Sequence, residues 1–280
     1  MIRIAFFGDV VGKAGREALI KYVSENKAKH KFDFVGVNGE NAAHGFGINQ
    51  SICTQFFNAG IDAITLGNHT FDQKDDLQLF DREPRLLRPI NYPKNTPGHG
   101  FVIVELPFVS KKVMIINAIG RLFMESNDDP FAVLDDFLKK YRLGYDVDAI
   151  FLDFHAEATA EKSALAKYLD GRISGIVGTH THVPTADPQI FNGGTGFLSD
   201  CGMCGDYDSV IGMEEEAPIK RFTQKTGAYA RMSPATKPAT ICGVVMDINE
   251  KGFCCEIQTI RVGGSLREQK DFISGTTDSQ

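Results

Sequence analysis

Asp9, Glu40 with Asn41, Asn68 with His69, His155, and His180 with His182 share one placement: each follows directly on a short apolar run. The side chains are carboxylate, carboxamide and imidazole. Together they form a mixed oxygen and nitrogen donor set that suits Mn²⁺, Fe²⁺ or Zn²⁺, whereas oxygens alone would suit Mg²⁺ or Ca²⁺ better. His180 and His182 are two residues apart, so on an extended segment they would point the same way. Each could then address a different ion only if the ions lay close, about 3.5–4 Å apart as in two-metal hydrolases. The carboxylate of Glu40 is the natural bridge between such ions.

Taken singly, each residue has a plainer reading. A histidine after a strand is ordinarily a hydrogen-bonded surface residue. Asp9 alone would cap a helix, and Asn68 alone would sit in a turn. The conjunction changes the balance: of seven histidines, His69, His155, His180 and His182 all follow expected strands beside acids, amides and glycines. His44 is a candidate to support the site from outside, while His30 and His99 read as solvated.

The elements that must position these residues alternate in type. Residues 2–7 (IRIAFF) form an apolar run, residues 15–28 have helical spacing, and residues 32–37 form a second run. Residues 49–59 read as helix and 61–66 as a third strand. Strand, helix, strand, helix, strand argues for parallel βαβ units, in which ligands gather beyond the carboxyl ends of the strands. Residues 82–100 read as loop, and 101–106 with 112–117 as a strand pair. Helices are expected over 130–142 and 158–169, and strands over 149–153 and 173–177. Residues 241–248 and 253–260 suit an antiparallel hairpin. Between them, 202–240 is polar and lacks apolar period, which suggests a rim or lid excursion. The expected organisation is a single domain over 1–262 and a flexible C-terminal tail over 263–280.

Composition sets the class. A chain of 280 residues, 42% hydrophobic and 24% charged, can bury a full core. A net charge of −6 argues against nonspecific nucleic-acid binding. No run of 18 apolar residues occurs, so no membrane span is expected. The opening MIRIAFFGDVVG reads as a strand rather than a secretory leader, and a cytoplasmic location is expected. Six cysteines do not look like a disulfide framework. Cys201 and Cys204 form a CxxC, and Cys254 and Cys255 are adjacent; one CxxC is a weak zinc signal, and ordinary reduced thiols are the preferred reading. The sequence is compatible with a homo-oligomer. A dinucleotide-binding reading of Gly8–Gly12 fails because GxGxxG is absent.

Gly67-Asn68-His69 and Gly178-Thr179-His180-Thr181-His182 resemble the GNH and GHxH signatures of calcineurin-like metallophosphoesterases, and Gly8-Asp9 resembles their opening strand-end aspartate. Two departures are specific. Val11 stands where the histidine of DxH is usual, and Asn38-Gly39-Glu40-Asn41 replaces the second GD. With the opening GDVVGKAGR and the segment from Asp153 to Lys162, they resemble the YmdB-like bacterial subfamily, from residue 1 to about 260. The resemblance implies a four-layered α/β/β/α sandwich and two divalent transition-metal ions, iron or manganese first and zinc after them. It implies that Glu40 bridges, that Asp9, Asn41 and His182 complete one metal site, and that Asn68, His155 and His180 complete the other. His69 would then be the general acid, protonating the leaving oxygen after a metal-held hydroxide attacks phosphorus in line. The implied substrate is a small nucleotide or phosphodiester, in particular a 2′,3′-cyclic nucleotide opened to a 3′-nucleotide. The alternatives are a phosphomonoesterase or protein phosphatase on the same site, or a nucleotide-sensing regulatory module.

Overall fold

The computed structural model describes residues 1–74, 77–226 and 231–269. The first sheet begins with β1 (Ile2–Phe7), followed by β2 (Asp9–Val10), α1 (Gly12–Asn26), β3 (Phe34–Asn38), α2 (Gln50–Asn58), β4 (Ala63–Thr65), α3 (Leu79–Arg82) and β5 (Leu86–Leu87). The second is built from β6 (Phe101–Leu106), β7 (Lys111–Ile119), α4 (Pro130–Leu138), β8 (Ala149–His155), α5 (Thr159–Tyr168), β9 (Gly175–Thr179), β10 (Gln189–Ile190) and β11 (Gly196–Leu198). Then come β12 (Met203–Cys204) and α6 (Glu216–Thr223), and the hairpin of β13 (Ile241–Ile248) and β14 (Cys254–Val262) returns to the first sheet. The sheet orders are β14-β13-β1-β3-β4-β5 and β10-β11-β9-β8-β7-β6, with β12 paired to β2.

Both sheets are covered on both faces, which explains the uninterrupted apolar runs. In β1, Ile4 and Phe6 pack into the layer between the sheets, with Phe34, Ile115 and Phe151. Ala5 and Phe7 face the other way, into a cluster with Leu19 and Val23 of α1 and Phe56 of α2. The second sheet packs Ile150, Leu152 and Phe154 outward against Leu134 of α4 and Leu165 of α5. The layers are therefore helix, sheet, sheet, helix. Side chains alternate along β8, so Asp153 and His155 continue the inter-sheet face that Phe151 begins. Local chemistry sets the helix starts. Asn49 caps α2, accepting from the Ile52 amide at 3.0 Å. Asp129 caps α4, with Pro130 at the first helical position.

Among the described residues of 202–240, β12 pairs with β2, and isolated bridges tie Gly205 to Thr240 and Met213 to Val210 and Pro234. Of the tail, residues 263–269 fold back along β14: Gln269 donates its amide to the Arg261 carbonyl at 2.8 Å, and Gly263 donates to Glu268 at 3.2 Å. Residues 270–280 lie outside the described residues. Among the described residues, no helix is long and apolar enough to cross a membrane.

Candidate metal centre

Asp9 lies just past β1, Glu40 and Asn41 just past β3, and Asn68 and His69 just past β4. His155 is the last residue of β8, and His180 and His182 follow β9. Parallel pairing of β8 with β9 sets His155 opposite Thr179. The loops of the two sheets meet here: the amide of His180 donates to Asp9 Oδ2 at 3.1 Å, across 171 residues of chain.

The tightest cluster surrounds Nε2 of His155, which is fully buried. Asn68 Oδ1 lies 3.0 Å from it, His180 Nδ1 3.0 Å, and Glu40 Oε1 3.2 Å. The opposite edge of the imidazole shows which atom carries its proton. Thr179 Oγ1 lies 2.9 Å from His155 Nδ1 and donates its single hydrogen to Asp153 Oδ1 at 2.8 Å. The hydroxyl can therefore only accept from His155, so Nδ1 carries a hydrogen, and Nε2 is the lone pair whenever the ring is neutral, as a ligating imidazole is. Four lone-pair donors then converge, and a hydrogen bond between any two of them cannot satisfy the rest. A cation can. Ligands at right angles on bonds of about 2.1 Å would stand about 3.0 Å apart, close to the distances of the other three donors from His155 Nε2.

A second set lies beside it. Asp9 is fully buried, and its Oδ1 has no hydrogen-bond partner; it lies 3.9 Å from His182 Nε2. Asn41 donates its amide nitrogen to the Gly45 carbonyl at 3.0 Å, and its Oδ1 is buried and also without a partner. Orphaned buried oxygens are costly, roughly 1–3 kcal/mol each, and a metal ion removes that cost. Nδ1 of His182 is held by the Ile211 carbonyl at 2.8 Å, which turns Nε2 toward Asp9. The residues present thus fit a metal ion at the His155 cluster, and Asp9, Asn41 and His182 are the candidates to hold a second.

Electrostatics agree in direction. Burial pushes the Asp9 carboxyl up, against the imidazoles of His182 and His155. Burial would raise Glu40 too, but His155 and His69 hold it down at about 2. Burial opposes the His155 cation, yet Glu40, Asp9 and Asp153 raise it to about 9, while burial and His155 press His180 down to about 3. Within the protein itself, the positive charge these carboxylates demand falls on His155. A ligating imidazole is neutral, and a bound metal takes over that charge.

His180 and His182 do not sit on an extended segment. Both have left-handed backbone, with φ of 99° and 65°, at a cost of roughly 1–3 kcal/mol each. The two rings therefore separate: His180 reaches the His155 cluster, and His182 reaches Asp9. Glycine is required at Gly67 for another reason. A Cβ there would stand 2.2 Å from His155 Cδ2 and 2.4 Å from Glu40 Oε2.

His69 donates its backbone amide to Glu40 Oε2 at 3.1 Å, and its ring is part-exposed, edge-on to Phe46. His44 is exposed, with φ of 53°, and His99 is exposed. His30 is half-buried, stacked on Phe32. Sequence reasoning passed over Asp153 and Thr179 behind His155, Glu157 at 3.1 Å from His180 Nε2, and Asp72 at 2.8 Å from His69 Nδ1. Asp153 had a readable signal: it precedes His155 by two on one strand. Cys201, Cys204 and Cys254 are buried free thiols and Cys255 is exposed. Among the described residues, the cluster of ionisable groups able to hold a metal is Glu40, His155 and His180.

Residues 5–260 match the family model described as YmdB-like protein. The 2′,3′-cyclic-nucleotide 2′-phosphodiesterase of Bacillus subtilis is 46% identical over 89% of this chain and 92% of its own. A hypothetical protein from Thermus thermophilus superposes with a TM-score of 0.86 at 35% identity, over 94% of this chain and all of its own. A novel phosphatase from Mycoplasma pneumoniae superposes with a TM-score of 0.86 at 34% identity, over 94% of this chain and 93% of its own.

Proposed function

The chain belongs to the YmdB-like family and is an enzyme of the metallophosphoesterase type, and from that premise we propose that it is a dinuclear phosphodiesterase that opens 2′,3′-cyclic nucleotides to 3′-nucleotides. The observation that carries the reading is the convergence of Glu40, Asn68, His155 and His180 on one point, beside the orphaned oxygens of Asp9 and Asn41. Glu40 is the candidate bridge: its Oε1 lies 3.2 Å from His155 Nε2, while its Oε2 accepts the His69 amide. The oxygen and nitrogen donors suit Mn²⁺ or Fe²⁺, and Zn²⁺ after them.

When bound, the ions would supply an acidified water as nucleophile and positive charge beside the phosphoryl oxygens. The protein's own part is to place the leaving group. The bond from phosphorus to the ribose 2′ oxygen breaks, and that oxygen departs as an alkoxide in need of a proton. His69 stands next to Asn68 and is not tied into the donor cluster, so it can deliver that proton. Asp72 holds its Nδ1, leaving Nε2 for the leaving oxygen.

The test is an assay of the Mn²⁺-loaded protein on 2′,3′-cyclic AMP, 3′,5′-cyclic AMP and p-nitrophenyl phosphate side by side. The expected result is fastest turnover of the 2′,3′-cyclic nucleotide, with 3′-AMP as product. The Mycoplasma pneumoniae relative, solved as a phosphatase, favours a second reading, phosphomonoester hydrolysis on the same site. A strong preference for p-nitrophenyl phosphate would establish that one instead.

A further inference from the structure

Outside the ligand set, the least expected side chain is Lys162. It is 2% exposed, although lysine is almost never buried unless paired. It stands near the N-terminal end of α5, where the helix dipole disfavours a cation. Its Nζ donates to Asp200 Oδ2 at 2.7 Å, and Asp200 is itself 1% exposed. The same Oδ2 accepts two further hydrogen bonds, from the Thr181 amide at 3.2 Å and from Thr181 Oγ1 at 2.7 Å. Oδ1 accepts from the Gly202 amide at 2.8 Å. The lysine stem needs the bare backbone of Gly178: a Cβ there would stand 2.7 Å from Lys162 Cδ and 1.9 Å from the Ser199 carbonyl oxygen.

Thr181 is the residue between His180 and His182, the two histidines with left-handed backbone. A buried ion pair is weak evidence for stability, because desolvation offsets the attraction, and a packed apolar pair would fasten α5 to the second sheet as well. An apolar pair could not hold both donors of Thr181. Asp200 Oδ2, held by Lys162 Nζ at 2.7 Å, accepts from both the Thr181 amide and the Thr181 hydroxyl, so the peptide and the side chain are engaged together.

We propose that Lys162 and Asp200 are positioning residues that grip Thr181 and thereby hold the two left-handed turns aiming His180 and His182 at the metal centre. The inference rests on the metal centre proposed above. It explains three local departures together: a buried lysine, its place at the wrong end of a helix, and two strained histidines in a row of three residues.

The test uses Thr181→Val, which keeps the shape and removes the hydroxyl, Thr181→Ser, which restores it, and Lys162→Met. Each protein is stripped with EDTA, its melting temperature is measured, and Mn²⁺ is then titrated in by calorimetry. Thr181→Val should melt within a few degrees of wild type without metal, yet bind Mn²⁺ about 10–100-fold more weakly, the usual loss for a partner that orients ligands. Thr181→Ser should recover wild-type affinity, and Lys162→Met should lose at least as much as Thr181→Val. Wild-type Mn²⁺ affinity in Thr181→Val overturns the proposal, whether or not its metal-free melting temperature falls; should Lys162→Met fail to fold, the Thr181 pair decides. Failure of the wild-type protein to take up Mn²⁺ would remove the metal centre itself, a result distinct from any difference among the variants.

Discussion

The Nδ1 atom of His69 lies 2.8 Å from the Oδ2 atom of Asp72, three residues further along the same loop. The contact bears on how the ring would be used as an acid. With Nδ1 engaged by a carboxylate, the remaining nitrogen is the one that can exchange a proton with a substrate.

Replacing His69 with alanine should lower kcat on 2′,3′-cyclic AMP by about 10²–10⁴, the usual contribution of a positioned acid. Metal content should stay at the wild-type value, because the donor cluster is intact. The defect should shrink on bis(p-nitrophenyl) phosphate, since nitrophenolate leaves without a proton. Equal losses on both substrates, with metals retained, would assign the ring to phosphate binding and the acid to another group.

Glu40→Ala should strip both ions, whereas Asp9→Ala should weaken one. Wild-type protein should carry about two transition-metal ions per chain. Elemental analysis of the three proteins after identical purification reads this directly, and equal mild losses in the two variants would contradict a bridging Glu40.

Gly67→Ala should be far more damaging than an ordinary loop substitution. Its methyl group would stand 2.2 Å from the His155 ring and 2.4 Å from Glu40. One of those two side chains must leave the cluster. The variant should fold, by circular dichroism, yet bind Mn²⁺ at least tenfold more weakly than wild type; unaltered binding would mean the loop relaxes freely.

The cysteines should behave as ordinary thiols. Burial pushes the Cys201, Cys204 and Cys254 thiols up, out of the reactive range. Ellman's reagent should therefore label the exposed Cys255 quickly in the native protein and the buried thiols only after unfolding. Cys201→Ser with Cys204→Ser should leave metal content unchanged. Loss of zinc from that variant would revive the CxxC as a metal site.

The sequence made the positions of the chemistry legible because each group stands where an apolar run stops. β1, β3, β4, β8 and β9 are apolar on both faces, so their ends are sharp in the residue pattern. It was less informative about direction. His180 and His182 look like neighbours on an extended strand, and only the left-handed turns at both send them to different clusters. The Asp200 acceptor was missed for a related reason. It follows β11, a three-residue strand that is too short to show a period, and Lys162 lies within an expected helix where no residue pattern marks it as buried. Val11 and Asn41 illustrate the opposite case. The missing histidine was visible as a departure from a motif, and Asn41 has a buried side-chain oxygen without a hydrogen-bond partner.

The donors come from both sheets. Asp9, Glu40, Asn41 and Asn68 extend from the first, His155, His180 and His182 from the second, and Asn68 meets His155 across 87 residues of chain. An ion held there would therefore be a reversible rivet through the seam of the sandwich. Sliding one sheet over the other would have to open the rivet, so the stiffness of the whole body would become a function of metal supply. At a free-ion concentration about a hundred times Kd, such binding adds about 2.7 kcal/mol to the folded state. Hydrogen exchange would show it as slower opening of β1 and β8 together, although those strands belong to different sheets. A cell short of metal would lose more than turnover: it would hold a looser protein, more readily cleared.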